Sequence, residues 1–324
     1  MDIRGLTKMG MLRRSVPGVC ARYAATNAYR AVSYSFGAIS HSSGVLSGDI
    51  SAYDAVASID QAFKDYKRYS GLERFYGAVA EIGPGDNCGM GLLFLAEGCE
   101  RVDLLERFYP ARNRPRERLM YARILNVYPN LRRNCTTYPP EDEYSFKCLF
   151  PHYGPKASAE QFFKENRGYN FIVSRAVLQS LNDPISAVRD MARALVSHGM
   201  LVHKVDLRDW GMFSGEFHEL KFLEMPSWLY TCMTRGSGRP NRVLINRYRD
   251  ILEEERLEHS FFITRLAGVG DIVPHLPYED ISPDLLEKSL AYVRSVRARF
   301  APCFDSASDQ DLSVTGFFVV ATKP

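Results

Sequence analysis

The stretch AVAEIGPGDNCGMGLLFLAEGCERVDLLER, from Ala78 to Arg107, decides the fold. Its pattern is typical of a short apolar strand, a glycine-rich turn, an apolar helix and a second strand that ends on Glu106. In an open parallel sheet, ligands bind beyond the carboxyl ends of the strands, where the first strand-to-helix turn meets a cofactor. Gly83 and Gly85 permit that turn and a close approach. The stretch therefore predicts a site for a nucleotide-like cofactor, with Glu106 accepting two hydrogen bonds from a ribose diol.

Three details of the turn distinguish two kinds of cofactor. Gly89 comes one residue later than the third glycine of a dinucleotide-binding turn, Pro84 removes a backbone donor, and Glu81 places a carboxylate beside the turn. A pyrophosphate would be repelled by Glu81, whereas the cationic amino group and sulfonium of S-adenosylmethionine (SAM) tolerate a negative charge. The turn therefore favours SAM over NAD or FAD.

Composition and charge restrict the class of protein. The chain has 324 residues, of which 46% are hydrophobic and 24% are charged, as expected for one large soluble domain with extensions. Its net charge of +3 is too small to mark a nucleic-acid binder, and no apolar run approaches the roughly 20 residues of a membrane-spanning helix. The seven cysteines are scattered without a C-x-x-C pair, which indicates neither a disulfide framework nor a metal site. A reducing, cytoplasmic location fits this cysteine usage.

Residues 1–76 are predicted to form a basic, helical extension. The first 30 residues are rich in Arg, Lys and small residues, with Asp2 as the one acid. This composition is typical of a basic helix that lies on the domain or on an anionic membrane surface, and also of a transit peptide. Between residues 49 and 72, apolar side chains recur at helical steps and predict an amphipathic helix whose aromatic residues are buried. The recurring residues are Tyr53, Val56, Ile59, Phe63 and Tyr66.

From residue 77 onward, strand-like and helix-like segments alternate, which is typical of a mainly parallel sheet covered on both faces. Two late apolar runs, HSFFITRL and GFFVVATK, can pair as an antiparallel edge. The predicted fold is α/β, a Rossmann-like doubly wound sheet of seven strands with an antiparallel last strand. Its first five strands are expected near 78–83, 101–106, 148–153, 169–174 and 199–206.

Taken together, EIGPGDNCG, VDLLE and NFIVSRAVLQSLNDP resemble the motifs of a class I SAM-dependent methyltransferase. The resemblance covers residues 77–206, and the two final β runs fit the family's closing hairpin. It implies that FPHYGPKASAEQF takes the place of the adenine loop, although an insertion between Arg107 and Cys148 leaves the register of that loop open. The implied cofactor site consists of Glu81, Gly83, Gly85, Glu106, Ser158, Ala159, Glu160 and Ser174.

The segment after the fifth strand is similar to a bacterial subset of these enzymes that is associated with sugars and surface polysaccharides. The matching motifs are D-L-R-D at 206–209 and P-N-R at 240–242, whereas L-Q-S at 178–180 replaces the L-E-H that is frequent in the subset. The resemblance implies a core over 77–206, a lid or acceptor-binding insertion over 207–258 and a C-terminal part of the core over 259–324. It also implies a sugar or glycan hydroxyl as the acceptor, contacted by Arg208, His218, Asn241 and Arg242.

A hydroxyl acceptor calls for a base near the exit of the fifth strand, because a positioned base takes the proton as the new bond forms. Asp206 is the preferred candidate, and it is equally typical of a residue that anchors the next loop. His203 and Asp209 are further candidates for the base. His203 lies within an apolar alternation and is also typical of a core histidine.

Two other interpretations of the chain remain open. One is a catalytically silent domain that binds SAM or a partner protein. The other is an RNA methyltransferase, because the stretch from Arg107 to Arg123 holds six arginines with Tyr109 and Tyr121 between them. A solvated helix face explains the same pattern, and no RNA-binding module is visible in the sequence. We therefore expect a small-molecule or glycan acceptor rather than a nucleic acid.

Overall fold

The computed structural model describes residues 15–35, 40–41, 51–236 and 238–324. In this part of the chain, a main sheet of eight strands has helices on both faces. Its strands are β1 (Ala78–Ile82), β2 (Arg101–Glu106), β3 (Leu149–Tyr153), β4 (Tyr169–Arg175), β5 (Leu195–Asp206), β6 (Glu258–Leu266), β7 (Gly270–Leu276) and β8 (Val314–Thr322). The α-helices are α1 (Val16–Ser35), α2 (Ala52–Ser70), α3 (Gly89–Glu97), α4 (Arg114–Val127), α5 (Ala159–Glu165), α6 (Pro184–Ala194), α7 (Ser227–Thr234), α8 (Ile245–Glu254), α9 (Pro283–Arg297) and α10 (Asp309–Ser313).

The strands follow the order β3-β2-β1-β4-β5-β8-β6-β7. β1 to β5 are parallel, and β8 is inserted antiparallel between β5 and β6. This is a Rossmann-like doubly wound sheet, as the sequence predicts, and its antiparallel last strand is confirmed. The strand order reverses between β1 and β4, which is where such sheets bind ligands.

The prediction of seven strands is wrong by one, because β7 forms an additional outer edge on β6. Pro274 lies inside β7, and proline is confined to edge positions because it cannot donate to a ladder. Val273 beside it is 82% exposed. The segment therefore lacks the apolar pattern that marks the buried strands.

Helix α2 covers one face of the sheet beside β1. Ser51 caps its N-terminus by accepting a hydrogen bond from the Asp54 amide, and Gly71 ends it in a left-handed conformation. Phe63 and Tyr66 are buried as predicted, whereas Tyr53 is 62% exposed. Tyr53 lies in the first turn of the helix, where its ring is stacked with the Arg123 guanidinium at 4.6 Å. The predicted burial of every aromatic residue in this helix is therefore wrong for Tyr53.

A separate apolar cluster lies outside the sheet and joins α1, α7 and α9 through residues such as Val19, Met233 and Val293. Asn27 of α1 holds α7 by donating to the Cys232 carbonyl oxygen at 2.9 Å. Helix α8, which falls inside the predicted insertion over 207–258, packs with Tyr248 and neighbours on the main core beneath β8.

The predicted basic start of the extension, residues 1–14, lies outside the described residues. No helix in the described part of the chain is both long and apolar enough to cross a membrane.

Candidate functional site

A cavity of about 300 Å³ opens at the carboxyl ends of β1, β2 and β4, at the point where the strand order reverses. Ile82 ends β1, Gly83 follows it, Glu106 ends β2 and Arg175 ends β4, and all four line the cavity. The glycine-rich turn thus lies where the sequence predicts a cofactor site.

Gly83 and Gly85 both adopt left-handed backbone conformations, with φ angles of 72° and 71°. A Cβ atom on Gly83 would lie 2.4 Å from Cγ2 of Val177, so the turn also needs glycine for space. Gly89 has another role, because a Cβ atom on it would lie 2.5 Å from Cδ1 of Ile59 in α2. The third glycine therefore serves helix packing and does not line the cavity.

Glu106 lines the cavity from the end of β2. Its carboxylate accepts hydrogen bonds from the backbone amides of Phe108, at 3.1 Å, and Gly85. Burial raises the pKa of this carboxyl, while the two amides and the charge of Arg107 oppose the rise. The side chain is thus fixed by the backbone at the position where a diol can bind.

Glu81 is buried on the face of β1 that carries α2. It does not line the cavity itself, but the next residue, Ile82, does. Burial, and secondly the charge of Glu106, raise its pKa to about 8. Its Oε2 atom has no hydrogen-bond partner within the described residues. A buried carboxylate without a partner is costly, and a nearby cation would favour its charged form.

Two of the three residues predicted from the adenine loop line the cavity. Ser158 and Ala159, at the start of α5, line the cavity. Glu160 does not: its Oε1 atom accepts from the Asn182 amide at 2.9 Å and lies 3.9 Å from the Arg107 guanidinium. Glu160 therefore joins α5 to the loop after β4 and is not placed to contact a base.

Ser174 and His203 form a buried pair inside the sheet. The Ser174 hydroxyl lies 2.8 Å from His203 Nδ1, and neither residue lines the cavity. Burial lowers the pKa of His203 to about 3, so its imidazole is neutral at physiological pH. The structure thus places Ser174 outside the cofactor cavity and His203 in the core beside it.

Asp206 ends β5 at the expected edge but does not line the cavity. Both of its carboxylate oxygens accept hydrogen bonds from Arg208, from Nε at 2.8 Å and from Nη2 at 2.6 Å. The side chains that were predicted as base and acceptor contact are therefore paired with each other. Neither residue lines the cavity.

Asp209 is an anchor for the turn that follows. It is fully buried and accepts hydrogen bonds from the amides of Gly211, Phe213 and Ser214. This turn holds Trp210 in a left-handed conformation, with a φ of 51°, at the rim of the cavity. All carboxylate contacts of Asp209 are thus structural, and the residue presented to the cavity is its neighbour Trp210.

The remaining predicted acceptor contacts also bind protein groups. Asn241 donates to the carbonyl oxygens of Leu178 and Leu181, at 3.0 and 3.1 Å. His218 lies 2.7 Å from Glu224, and Arg242 donates to the Met225 carbonyl oxygen at 2.5 Å. These contacts hold the segment after β5 together.

Sequence reasoning missed the residues that line the far side of the cavity. Arg175 ends β4, Ala176 and Val177 follow it, and Trp210 and Gly238 come from the segment after β5. Ala176 has a φ of 56°, so two of the non-glycine residues with left-handed backbones line this one cavity. The position of 175–177 at the end of a central strand was the available signal, because strand ends gather at this edge of the sheet.

Among solved structures, the fold is similar to that of phosphoethanolamine N-methyltransferase 2 from Haemonchus contortus, in complex with S-adenosyl-L-methionine. The sequence identity is 11%, the TM-score is 0.42, and the likeness covers 82% of this chain and 52% of that one. A SAM-dependent methyltransferase from Archaeoglobus fulgidus is similar at 10% identity and a TM-score of 0.40, over 82% of this chain and 94% of that one. At these scores the likenesses carry no functional argument. A scan against protein-family models finds no match, and neither does a sequence search of curated proteins.

Proposed function

We propose that this protein is a class I SAM-dependent methyltransferase. The observation that carries the proposal is the left-handed Gly83–Gly85 turn next to a buried Glu106 carboxylate, both lining one cavity. In this proposal Glu106 binds the ribose hydroxyls, Ser158 and Ala159 border the adenine, and Glu81 favours the cationic end of the ligand. When bound, SAM supplies an electrophilic methyl group.

The proposed acceptor is a small polar molecule, and a sugar or glycan hydroxyl is the class that we favour. Trp210 supports this proposal, because its exposed indole stands at the rim of the cavity and offers an apolar surface to a sugar ring. Among the described residues that line the cavity, Glu106 is the one carboxylate, and none is a histidine. Alignment and exclusion of water are therefore the contributions that this cavity makes to an in-line displacement.

The compartment proposed for this activity is the cytoplasm. All seven cysteines are free thiols, which fits a reducing compartment.

Incubation with SAM that carries a tritiated methyl group tests the function. Pools of bacterial glycans, sugar nucleotides and RNA are offered in separate reactions, with Glu106→Ala as the inactive control. We expect label in a sugar-containing pool from the wild type and none from the variant. Binding of SAM without transfer to any pool would show a silent domain, and label confined to RNA would replace the acceptor class.

A further inference from the structure

A second groove, of about 530 Å³, lies beside the cofactor cavity. It is bordered by α7, by the loop that enters α6 and by residues 239–243. Leu181 lines both the groove and the cofactor cavity, so the two spaces lie on either side of one loop. A molecule that fills the groove is therefore next to the place where methyl transfer is proposed.

The groove is strongly basic. Arg235, Arg239 and Arg242 line it, against a single acid, Asp183. Asp183 is occupied, because its carboxylate caps α6 by accepting from the Ser186 amide at 3.0 Å. Among the described residues, no carboxylate oxygen lies within 4.0 Å of any of the three guanidinium groups. Three positive charges thus line one groove without a counter-ion among the described residues.

Arg242 is held rigidly at the base of this groove. Its Nη2 atom donates to the Ser227 hydroxyl at 3.2 Å, and its guanidinium lies over the rings of Tyr230 and Phe304, at 4.3 and 5.2 Å. Burial lowers the pKa of this arginine, and Tyr230 and Cys303 give it only partial compensation. A ligand with negative charge would complete that compensation.

The N-terminal helix positions a second arginine of the groove. The Arg239 guanidinium lies 5.1 Å from the ring centre of Tyr23 in α1. Burial, and secondly the charge of Arg239, lower the pKa of Arg30 in the same helix, so the two cations lie near each other. Two separate parts of the chain thus bring cations to one surface.

We propose that this groove binds the phosphate group of a phosphorylated small molecule, which is the methyl acceptor or part of it. Phosphate fits because its two negative charges and three terminal oxygens can engage several guanidinium groups at once. The identification of the ligand as the acceptor rests on the proposed function, whereas the phosphate site itself does not.

Calorimetry at low ionic strength tests the site with inorganic pyrophosphate and with glucose 1-phosphate. The test variant is the double substitution Arg235→Ala/Arg239→Ala, which leaves the backbone contacts of Arg242 intact. Arg167→Ala is the matched control, since Arg167 is exposed in the loop between α5 and β4, at the opposite end of the sheet. We expect at least a tenfold loss of affinity in the double variant, a change below twofold in the control, and unchanged circular dichroism in both.

The outcomes separate the site from the proposed function. Absence of binding to the wild type, or equal binding to the double variant, would overturn the groove proposal. Binding only to vesicles that contain phosphatidylglycerol would also overturn it, because the phosphate would then belong to a lipid surface. Binding of S-adenosylhomocysteine is measured in parallel: if it is absent while the double variant still loses pyrophosphate, the phosphate site stands and the methyltransferase proposal fails.

Discussion

Glu106 and Asp206 occupy comparable positions in the sheet, but only Glu106 lines the cavity. Each is an acid on the last residue of a parallel strand, at the same edge of one sheet. Glu106 is held by backbone amides and lines the cavity, whereas Asp206 is held by the Arg208 side chain and lies outside it. Strand position alone therefore does not make a carboxylate functional. The partner that satisfies it decides whether it remains available to a ligand.

The largest effect is expected from Glu106→Ala. The substitution removes a charge-assisted pair of ribose hydrogen bonds, which is worth about 1.5–3 kcal/mol, or about 10- to 100-fold in the affinity for S-adenosylhomocysteine. Calorimetry measures this loss, and Asp206→Ala is the matched control at the other strand end. Equal effects of the two substitutions would remove the distinction between the two strand ends.

A smaller effect is expected from pH, through Glu81. Its pKa of about 8 means that the carboxyl is mostly protonated below that pH in the free protein. A bound cation favours the charged form, so binding releases a proton, and the affinity for SAM should rise with pH. We expect a rise of up to about tenfold between pH 6.5 and 7.5, the limit for one proton, and a flat profile for Glu81→Gln. An identical slope in the wild type and the variant would place Glu81 away from the ligand.

A still smaller effect on stability is expected at His203, on the same strand as Asp206. Its pKa is lowered to about 3, so the unfolded chain binds a proton below about pH 6.5 that the folded protein does not. The stability of the wild type relative to His203→Asn should therefore fall by about 1 kcal/mol between pH 6.5 and 5.5. Urea unfolding at both pH values measures this difference. A near-normal turnover per folded molecule of the variant is expected as well, and a large loss of turnover without unfolding would return the role of base to His203.

The smallest effect is expected from Asp206→Asn. An exposed ion pair contributes about 0–1 kcal/mol to stability, and the pair with Arg208 lies outside the cavity. Affinity for SAM and turnover should both remain within about threefold. A loss of turnover near 100-fold, with affinity unchanged, would instead show Asp206 acting as a general base.

The fold was largely predictable from the sequence because its signals are local. The apolar strands, the glycine turn and the terminal Glu106 are contiguous between residues 78 and 106, and each follows from periodicity or backbone conformation. The edge strand β7 was not predicted, because an exposed strand with Pro274 has no apolar alternation.

The residues after β5 were predicted less well for a different reason. Asp209, Asn241 and Arg242 have the chemistry of ligand-binding groups, and in the structure they satisfy backbone amides and carbonyls. Their roles depend on which atoms a long, irregular segment brings near them, and the spacing of residues in the sequence does not encode that. Trp210 lines the cavity because of the turn that Asp209 anchors, and the sequence alone did not predict this position.

The attachment made by Asn241 has a consequence for how this protein can diverge. Its amide nitrogen donates to the carbonyl oxygens of Leu178 and Leu181, and its own backbone amide donates to the Gln179 carbonyl oxygen. Every acceptor that Asn241 uses here is main-chain, so these three hydrogen bonds do not require particular side chains at 178–181. Mutation of Leu181, which lines both the cavity and the groove, can therefore reshape the wall between them while Asn241 keeps these hydrogen bonds. Selection can thus change the specificity of the protein without first rebuilding its architecture.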